Sequence, residues 1–247
     1  MPHGFFPATH DYDLPHASVK LRVFLVLESA IRAAWEDMLR FRPDGFDPVS
    51  AKENDFTRLL WSLLANDYLP SGRIPGFNKD VFATITRGPE VPNYNGMHPD
   101  KKPDLVVYFN FHRSCVQAAF DGIFIEAKPV DAGHKVPAHY FKKGICRYVK
   151  GDYAWAMRES LMLGYTYGET NIGAWLGKAE EPRYQVERTG EVEVCSRGKP
   201  GQHSLPVHAT VHRRTFSYPE TGKAAPAITL RHLWLVRPKP QMELDLQ

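Results

Sequence analysis

Two acidic side chains and one amine lie at the ends of two predicted strands. Asp104 comes directly before the apolar run 105–109, and Glu126 and Lys128 lie at the end of the apolar segment 122–127. Strand side chains alternate between faces, so Glu126 and Lys128 project from the same face. If the two strands are adjacent and antiparallel, all three groups come together at one edge of the sheet.

Such a group has the parts that metal-assisted phosphodiester hydrolysis requires. Two carboxylates with open positions beside them suit Mg²⁺, a hard ion that keeps several waters and accepts phosphate oxygens. A lysine next to the ion can orient or deprotonate the attacking water, or stabilise the charge that develops on the phosphate. The spacing therefore predicts a Mg²⁺ site at Asp104 and Glu126, with Lys128 beside it.

The pattern resembles the PD-(D/E)xK superfamily of restriction-endonuclease-like nucleases. It reads Pro103-Asp104, then 21 intervening residues, then Glu126-Ala127-Lys128. The resemblance implies a mixed α/β fold with a restriction-endonuclease-like α-β-β-β-α-β core. It also implies that Asp104, Glu126 and the Ala127 backbone carbonyl hold Mg²⁺, for which Mn²⁺ substitutes, and that Lys128 is catalytic.

Glu53 has two interpretations. Many members of the superfamily carry a glutamate on the first core helix facing the metal site, and Glu53 matches that position, which makes it a further catalytic residue and metal ligand. However, Ser50-x-x-Glu53 is also a capping box, in which Glu53 merely accepts a hydrogen bond from the Ser50 amide. The sequence leaves both interpretations open.

Basic residues are concentrated after the Glu-x-Lys segment. The net charge is only +3, yet the segments 128–150 and 183–240 have balances of +5 and +6, which leaves the remainder acidic. Such asymmetry is typical of a surface that faces a polyanion, although solvated surface charge gives the same pattern. Nucleic-acid contacts are predicted at Arg147 and then Lys143, since superfamily members commonly place a basic residue on this helix. The remaining candidates are Lys142, Arg213 and Arg214.

The elements that must position these residues follow from hydrophobic periodicity. An irregular arm covers 1–17, and apolar residues at three- and four-residue steps predict helices at 18–41, 49–68 and 140–165. Gly151-Asp152 marks a place where the last of these helices could be broken. Short β-branched or aromatic runs and two-residue alternation predict the strands. These strands are 81–86, 105–109, 122–127, 184–195, 205–216 and 228–236. Pro129 is expected to end or bend its strand, because it has no N–H to donate.

The resulting architecture is one mixed α/β domain over 1–247, with a core at 18–182 and a β-rich C-terminal part at 183–247. Hydrophobic residues make up 43 % of the 247 residues, which excludes a wholly disordered chain. The longest apolar run has five residues, too short for a membrane span. Three unpaired cysteines and the lack of a cationic, apolar leader predict a cytoplasmic protein.

The sequence thus predicts a metal-dependent nuclease that hydrolyses DNA. Analogy with the superfamily suggests the effector of a bacterial restriction or antiviral defence system, with a protein partner that supplies specificity or activation. RNA as the substrate and an oligomeric state remain open. The alternative is a catalytically inactive, nuclease-like subunit that binds nucleic acid or serves assembly.

Overall fold

The structure, a computed structural model, describes residues 13–114, 116–130, 137–167, 172–177, 186–196 and 205–239. Within these ranges the chain forms helices α1 (Leu21–Phe41), α2 (Glu53–Leu63), α3 (Leu69–Ser71), α4 (Cys146–Val149) and α5 (Ile172–Gly177). A π-helical turn at Leu64–Tyr68 joins α2 to α3, and a π-helical segment at Pro137–Ile145 continues into α4. Short 3-10 turns occupy Pro43–Gly45 and Ala118–Phe120.

The described strands form one seven-stranded sheet. They are β1 (Phe82–Arg87), β2 (Leu105–Phe109), β3 (Gly122–Val130), β4 (Glu159–Thr166), β5 (Glu193–Ser196), β6 (Val207–His212) and β7 (Ile228–Val236). Their order across the sheet is β1-β2-β3-β4-β7-β6-β5, so the strands of the C-terminal part extend the sheet. The pairs β3–β4 and β4–β7 are parallel and the remaining pairs are antiparallel.

The mixed α/β class predicted from sequence is confirmed. From α2 to β4 the principal elements follow the order α-β-β-β-α-β. Because β3 and β4 are parallel, the chain between them must cross over the sheet, and the helix of residues 137–149 lies on that crossover. No helix in the part of the chain described here combines the length and apolar composition needed to cross a bilayer.

The predicted helix over 140–165 is wrong in its second half. Helical structure ends at Val149, and Glu159–Thr166 is the central strand β4. This strand has parallel neighbours on both sides and is buried along nearly its whole length. A strand that is buried on both faces carries a continuous apolar run rather than an alternating one, and such a run cannot be told from a helix by its periodicity.

Of the two outcomes expected at Pro129, an end or a bend of the strand, the end is wrong, since β3 continues to Val130. The Ala127 amide donates toward β2, where the Asp104 side chain accepts it. Amides two residues apart point the same way, so the Pro129 nitrogen faces the same side. Among the described residues, β2 pairs with β3 only as far as Ile125, so the missing N–H of Pro129 costs no ladder bond there.

The other predicted elements agree in existence but differ in their ends. The strands 105–109 and 228–236 and the start and end of α1 agree to within three residues. The helix predicted at 49–68 begins at Glu53. The strands predicted at 184–195 and 205–216 shorten to β5 and β6, and residues 184–185 and most of the arm 1–17 lie outside the described residues.

An aromatic cluster fixes α2 against the sheet. The rings of Trp35 from α1, Phe56 from α2 and Tyr165 from β4 lie with centroids 5.1–5.5 Å apart. The Thr57 hydroxyl lies 3.0 Å from the Tyr165 hydroxyl, so α2 is tied to β4 by a buried hydrogen bond as well. Glu53 stands one turn before Thr57 and is held over β3 by this packing.

The contact between β4 and β7 provides a test of the fold. A Cβ atom at Gly164 would lie 2.2 Å from Cε3 of Trp234, so no side chain fits there without displacing the indole. We expect Gly164→Ala to lower the free energy of unfolding by about 1–3 kcal/mol, because it overpacks a buried contact. Gly190→Ala is the matched control, since a Cβ at Gly190 meets no atom within 4 Å. Urea unfolding that gives the same change for both variants would contradict this packing.

Candidate active site

Asp104 is held at the start of β2 by the neighbouring strand. Its Oδ2 atom accepts a hydrogen bond of 2.7 Å from the Ala127 amide. This bond continues the β2–β3 ladder beyond its last backbone pair, Leu105 with Ile125. The carboxylate is thereby fixed beside the end of β3, as the antiparallel arrangement expected from the sequence requires.

Glu126 and Lys128 project from one face of β3, as the two-residue alternation predicts. The Glu126 side chain is 3 % exposed and the Lys128 side chain 10 % exposed. Two charged groups at this depth are tolerated only when each has partners of opposite charge. Glu126 and Lys128 therefore need partners of opposite charge at close range.

Four oxygens surround the Lys128 ammonium. Its Nζ atom lies 2.9 Å from Glu53 Oε1, 2.8 Å from Glu126 Oε1 and 3.6 Å from Asp104 Oδ2, and it donates to the Ala127 carbonyl at 2.6 Å. We call this arrangement of three carboxylates and one carbonyl the carboxylate cage. Glu53 and Asp104 are partly exposed, whereas Glu126 is buried, so the cage opens to solvent on the side of Glu53 and Asp104. The structure thus brings together all four residues that the sequence proposes for catalysis.

Glu53 does not form the capping box that the sequence also allows. The Ser50 hydroxyl donates to Asp47, and the Lys52 amide at the start of α2 donates to Asp55. The Glu53 carboxylate instead accepts a hydrogen bond from Lys128 Nζ. Of the two interpretations, the one that turns Glu53 toward the cage agrees with the structure.

The pKa values of Glu126 and Lys128 are both raised, but for different reasons. Burial raises the pKa of the Glu126 carboxyl to about 7, and the negative charge of Asp104 adds to the rise. Burial by itself lowers the pKa of the Lys128 ammonium, but the nearby charges of Glu126, Asp104 and Glu53 outweigh it, so that pKa is raised. Lys128 therefore remains charged at neutral pH, while Glu126 sits near the midpoint of its titration.

Tyr153 is a member of the site that sequence reasoning missed. Its buried hydroxyl donates to Oε2 of Glu126, the oxygen that does not contact Lys128. Burial and the adjacent Glu126 charge raise the pKa of the Tyr153 phenol well above its ordinary value, so the hydroxyl keeps its proton. The residue follows the turn after α4, next to the break that the sequence allows at Gly151-Asp152, and no spacing rule singles it out.

Arg147 lies at the rim of the cage. Its Nε atom is 3.4 Å from Glu126 Oε1 and donates to the Lys143 carbonyl at 2.9 Å, and 39 % of its side chain is exposed. Lys142 and Lys143 are exposed on the same helix, and the Lys143 amine lies 3.3 Å from a ring nitrogen of His139. A partly exposed guanidinium next to the cage is placed to meet a phosphate group bound there.

The two arginines proposed on the C-terminal part differ. Arg213 is largely exposed and forms an ion pair with Glu187 at 3.2 Å. Arg214 is buried and donates to the carbonyls of Trp155 and Met157, which makes it a support for that loop. The prediction that Arg214 binds nucleic acid is therefore wrong. Both residues look alike in the sequence, because charge alone does not show burial.

The donor set fits a hard divalent ion, although the side chains are not spaced around one. In the ranges described, no group of three or more His, Cys, Asp or Glu side chains is arranged to hold a metal ion. At the cage, the centre of the oxygens is taken by the Lys128 ammonium, which keeps the carboxylates apart. All four donors are nevertheless carboxylate or carbonyl oxygens, the ligands that Mg²⁺ and Mn²⁺ take.

Comparison of the chain with models of known protein families, with curated proteins and with solved structures finds no match. The geometry of the cage and the sequence pattern that forms it are therefore the features that indicate a function.

The raised pKa of Glu126 gives a testable pH dependence. The folded state holds the Glu126 proton more tightly than the unfolded state, so this residue contributes stability that is lost as the pH rises from about 4.5 to about 7. Relative to Glu126→Gln, which cannot titrate, we expect the wild-type free energy of unfolding to fall by about 3 kcal/mol over this window. Urea unfolding at a series of pH values measures it. A difference between the two proteins that does not change with pH would contradict the assignment.

Proposed function

We propose that the protein is a metal-dependent nuclease of the PD-(D/E)xK type that hydrolyses DNA. The observation that carries the proposal is the convergence of Glu53, Asp104, Glu126 and Lys128 on one point at the edge of the sheet. These residues come from three separate places in the chain, so their convergence is a property of the fold. The α-β-β-β-α-β order of the elements supports the same assignment.

Each residue of the cage has a role in this proposal. Asp104, Glu126 and the Ala127 carbonyl hold Mg²⁺ or Mn²⁺, and Glu53 contributes directly or through a water. The ion supplies Lewis-acid stabilisation and lowers the pKa of water when it is bound. Lys128, displaced from the centre of the cage, orients the attacking water and stabilises charge on the phosphate.

The proposed substrate contact begins at Arg147. Its guanidinium lies 3.4 Å from Glu126 and keeps a solvent-exposed part, and an arginine can engage two phosphate oxygens at once. Lys142 and Lys143 are exposed on the same helix as Arg147, and Arg213 is a further proposed contact on the C-terminal part. DNA is the substrate that the superfamily resemblance favours, and RNA presents the same phosphate chemistry. We extend the proposal to a cytoplasmic effector of restriction or defence that depends on a protein partner for specificity.

A second candidate function is a nuclease-like subunit that binds nucleic acid without cleaving it. The position of the Lys128 ammonium favours this candidate, because it occupies the place between the three carboxylates that a divalent ion would need. The two candidates differ in whether a metal ion replaces the ammonium.

The first test of the nuclease is a substitution at Lys128. In the presence of Mg²⁺ or Mn²⁺, we expect Lys128→Ala to lower the rate of plasmid cleavage by about 10²–10³-fold, the typical contribution of one preorganised group that stabilises developing charge. DNA affinity should change little, because the ammonium faces the cage and not the basic helix surface. Lys223→Ala removes an exposed lysine elsewhere and serves as the matched control.

Two results would contradict the nuclease. One is cleavage by Lys128→Ala at the wild-type rate, which would show that another protein is responsible. The other is a wild-type protein that binds DNA but neither cleaves it nor binds Mn²⁺ more tightly than Asp104→Asn does. That second result would favour the non-catalytic candidate.

A separate test concerns the phosphate contact of Arg147. We expect Arg147→Ala to weaken DNA binding similarly for all sequences and to reduce the slope of log affinity against log salt by about 1, because one phosphate contact is lost. Fluorescence anisotropy at several salt concentrations measures both effects, again with Lys223→Ala as the control. An unchanged slope would show that Arg147 does not contact a DNA phosphate.

A further inference from the structure

We propose that Tyr153 is a positioning residue that limits Glu126 to one metal-binding oxygen, Oε1, and so makes the cage select Mg²⁺ over Ca²⁺. This inference rests on the proposed function, since it concerns the ion that the cage binds. It assigns a role to a residue outside the Asp…Glu-x-Lys pattern.

The two oxygens of Glu126 have separate partners. Oε2 accepts the hydrogen bond from the Tyr153 hydroxyl. Oε1 faces the cage, 2.8 Å from Lys128 Nζ, and the Arg147 guanidinium approaches the same oxygen to 3.4 Å. The carboxylate plane is thus fixed from both ends, with one oxygen directed to the cation position and the other directed away from it.

The Tyr153 ring cannot easily withdraw its hydroxyl. The ring lies nearly parallel to that of Phe124 with centroids 6.5 Å apart, and edge-on to that of Tyr148 at 5.1 Å. The chain before it is held by the Asp152 amide, which donates to the Arg147 carbonyl at 2.9 Å, and by an ion pair between Asp152 and Lys101 at 3.3 Å. Both the ring and its backbone are therefore anchored, and Oε2 stays occupied.

The number of oxygens offered by a carboxylate distinguishes the two ions. Mg²⁺ takes six ligands in near-octahedral geometry, retains several waters and uses one oxygen of each of a few carboxylates. Ca²⁺ takes six to eight oxygens at longer distances and commonly uses both oxygens of a carboxylate. With Oε2 bonded to Tyr153, Glu126 can supply one oxygen to Mg²⁺ but cannot supply both oxygens to Ca²⁺.

The test compares ion affinities of four proteins without any activity measurement. Wild type, Tyr153→Phe, Tyr148→Phe and Asp104→Asn are titrated with Mn²⁺ at pH 8, with free Mn²⁺ read by electron paramagnetic resonance, and Mg²⁺ and Ca²⁺ affinities are obtained by competition. Tyr148→Phe is the matched control, because its buried hydroxyl lies in the same ring cluster but donates to the carbonyls of Phe124 and Leu161. Near-UV circular dichroism verifies that each variant is folded.

We expect Tyr153→Phe to shift the ratio of Mg²⁺ to Ca²⁺ affinity toward Ca²⁺ by about tenfold, the lower end of what partners of metal ligands contribute. Tyr148→Phe should keep the wild-type ratio. Equal ratios in Tyr153→Phe and wild type would overturn the inference while leaving the nuclease proposal intact.

The wild-type protein provides a second test that does not need the variant to fold. Wild type that binds Ca²⁺ more tightly than Mg²⁺ would also overturn the inference. Wild type that binds Mn²⁺ no better than Asp104→Asn would instead overturn the proposed function, and the inference with it.

Discussion

The ion cluster around Lys128 is the constraint on which the site depends. Three carboxylates brought to one sheet edge repel one another, and the ammonium makes that concentration of charge tolerable at low exposure. The cluster also ties α2 to β3 through Glu53, and β2 to β3 through Asp104 and the Ala127 amide. The same residues that we propose for catalysis therefore also join the elements that carry them.

This double role explains why an ammonium group lies at the centre of the cage. Three carboxylates this close together need a positive charge between them, and a lysine on the same strand supplies one. In the proposed function, a metal ion takes the place of the ammonium at the centre of the cage. Tyr153 and the aromatic rings around it keep Glu126 in place during the exchange, because their packing does not involve the ammonium.

Much of this arrangement could be predicted from sequence, for reasons that differ between residues. The alternation of a strand places Glu126 and Lys128 on one face, and Asp104 follows from adjacent antiparallel strands. Tyr153 could not be found, because the turn after α4 brings it to Glu126, 27 residues away in the chain, and no spacing rule relates the two residues. Arg214 was wrongly assigned because its burial depends on the loop at Trp155 and Met157, which only the folded chain brings near.

The proposed metal site is tested most directly by an anomalous-scattering map from a crystal of the protein soaked in Mn²⁺. If the cage binds the ion, the map has a peak about 2 Å from oxygens of Asp104, Glu126 and Ala127, and the Lys128 ammonium has moved away from the centre of the cage. A map with no peak there, and with Lys128 Nζ still among the three carboxylates, would contradict the proposed site.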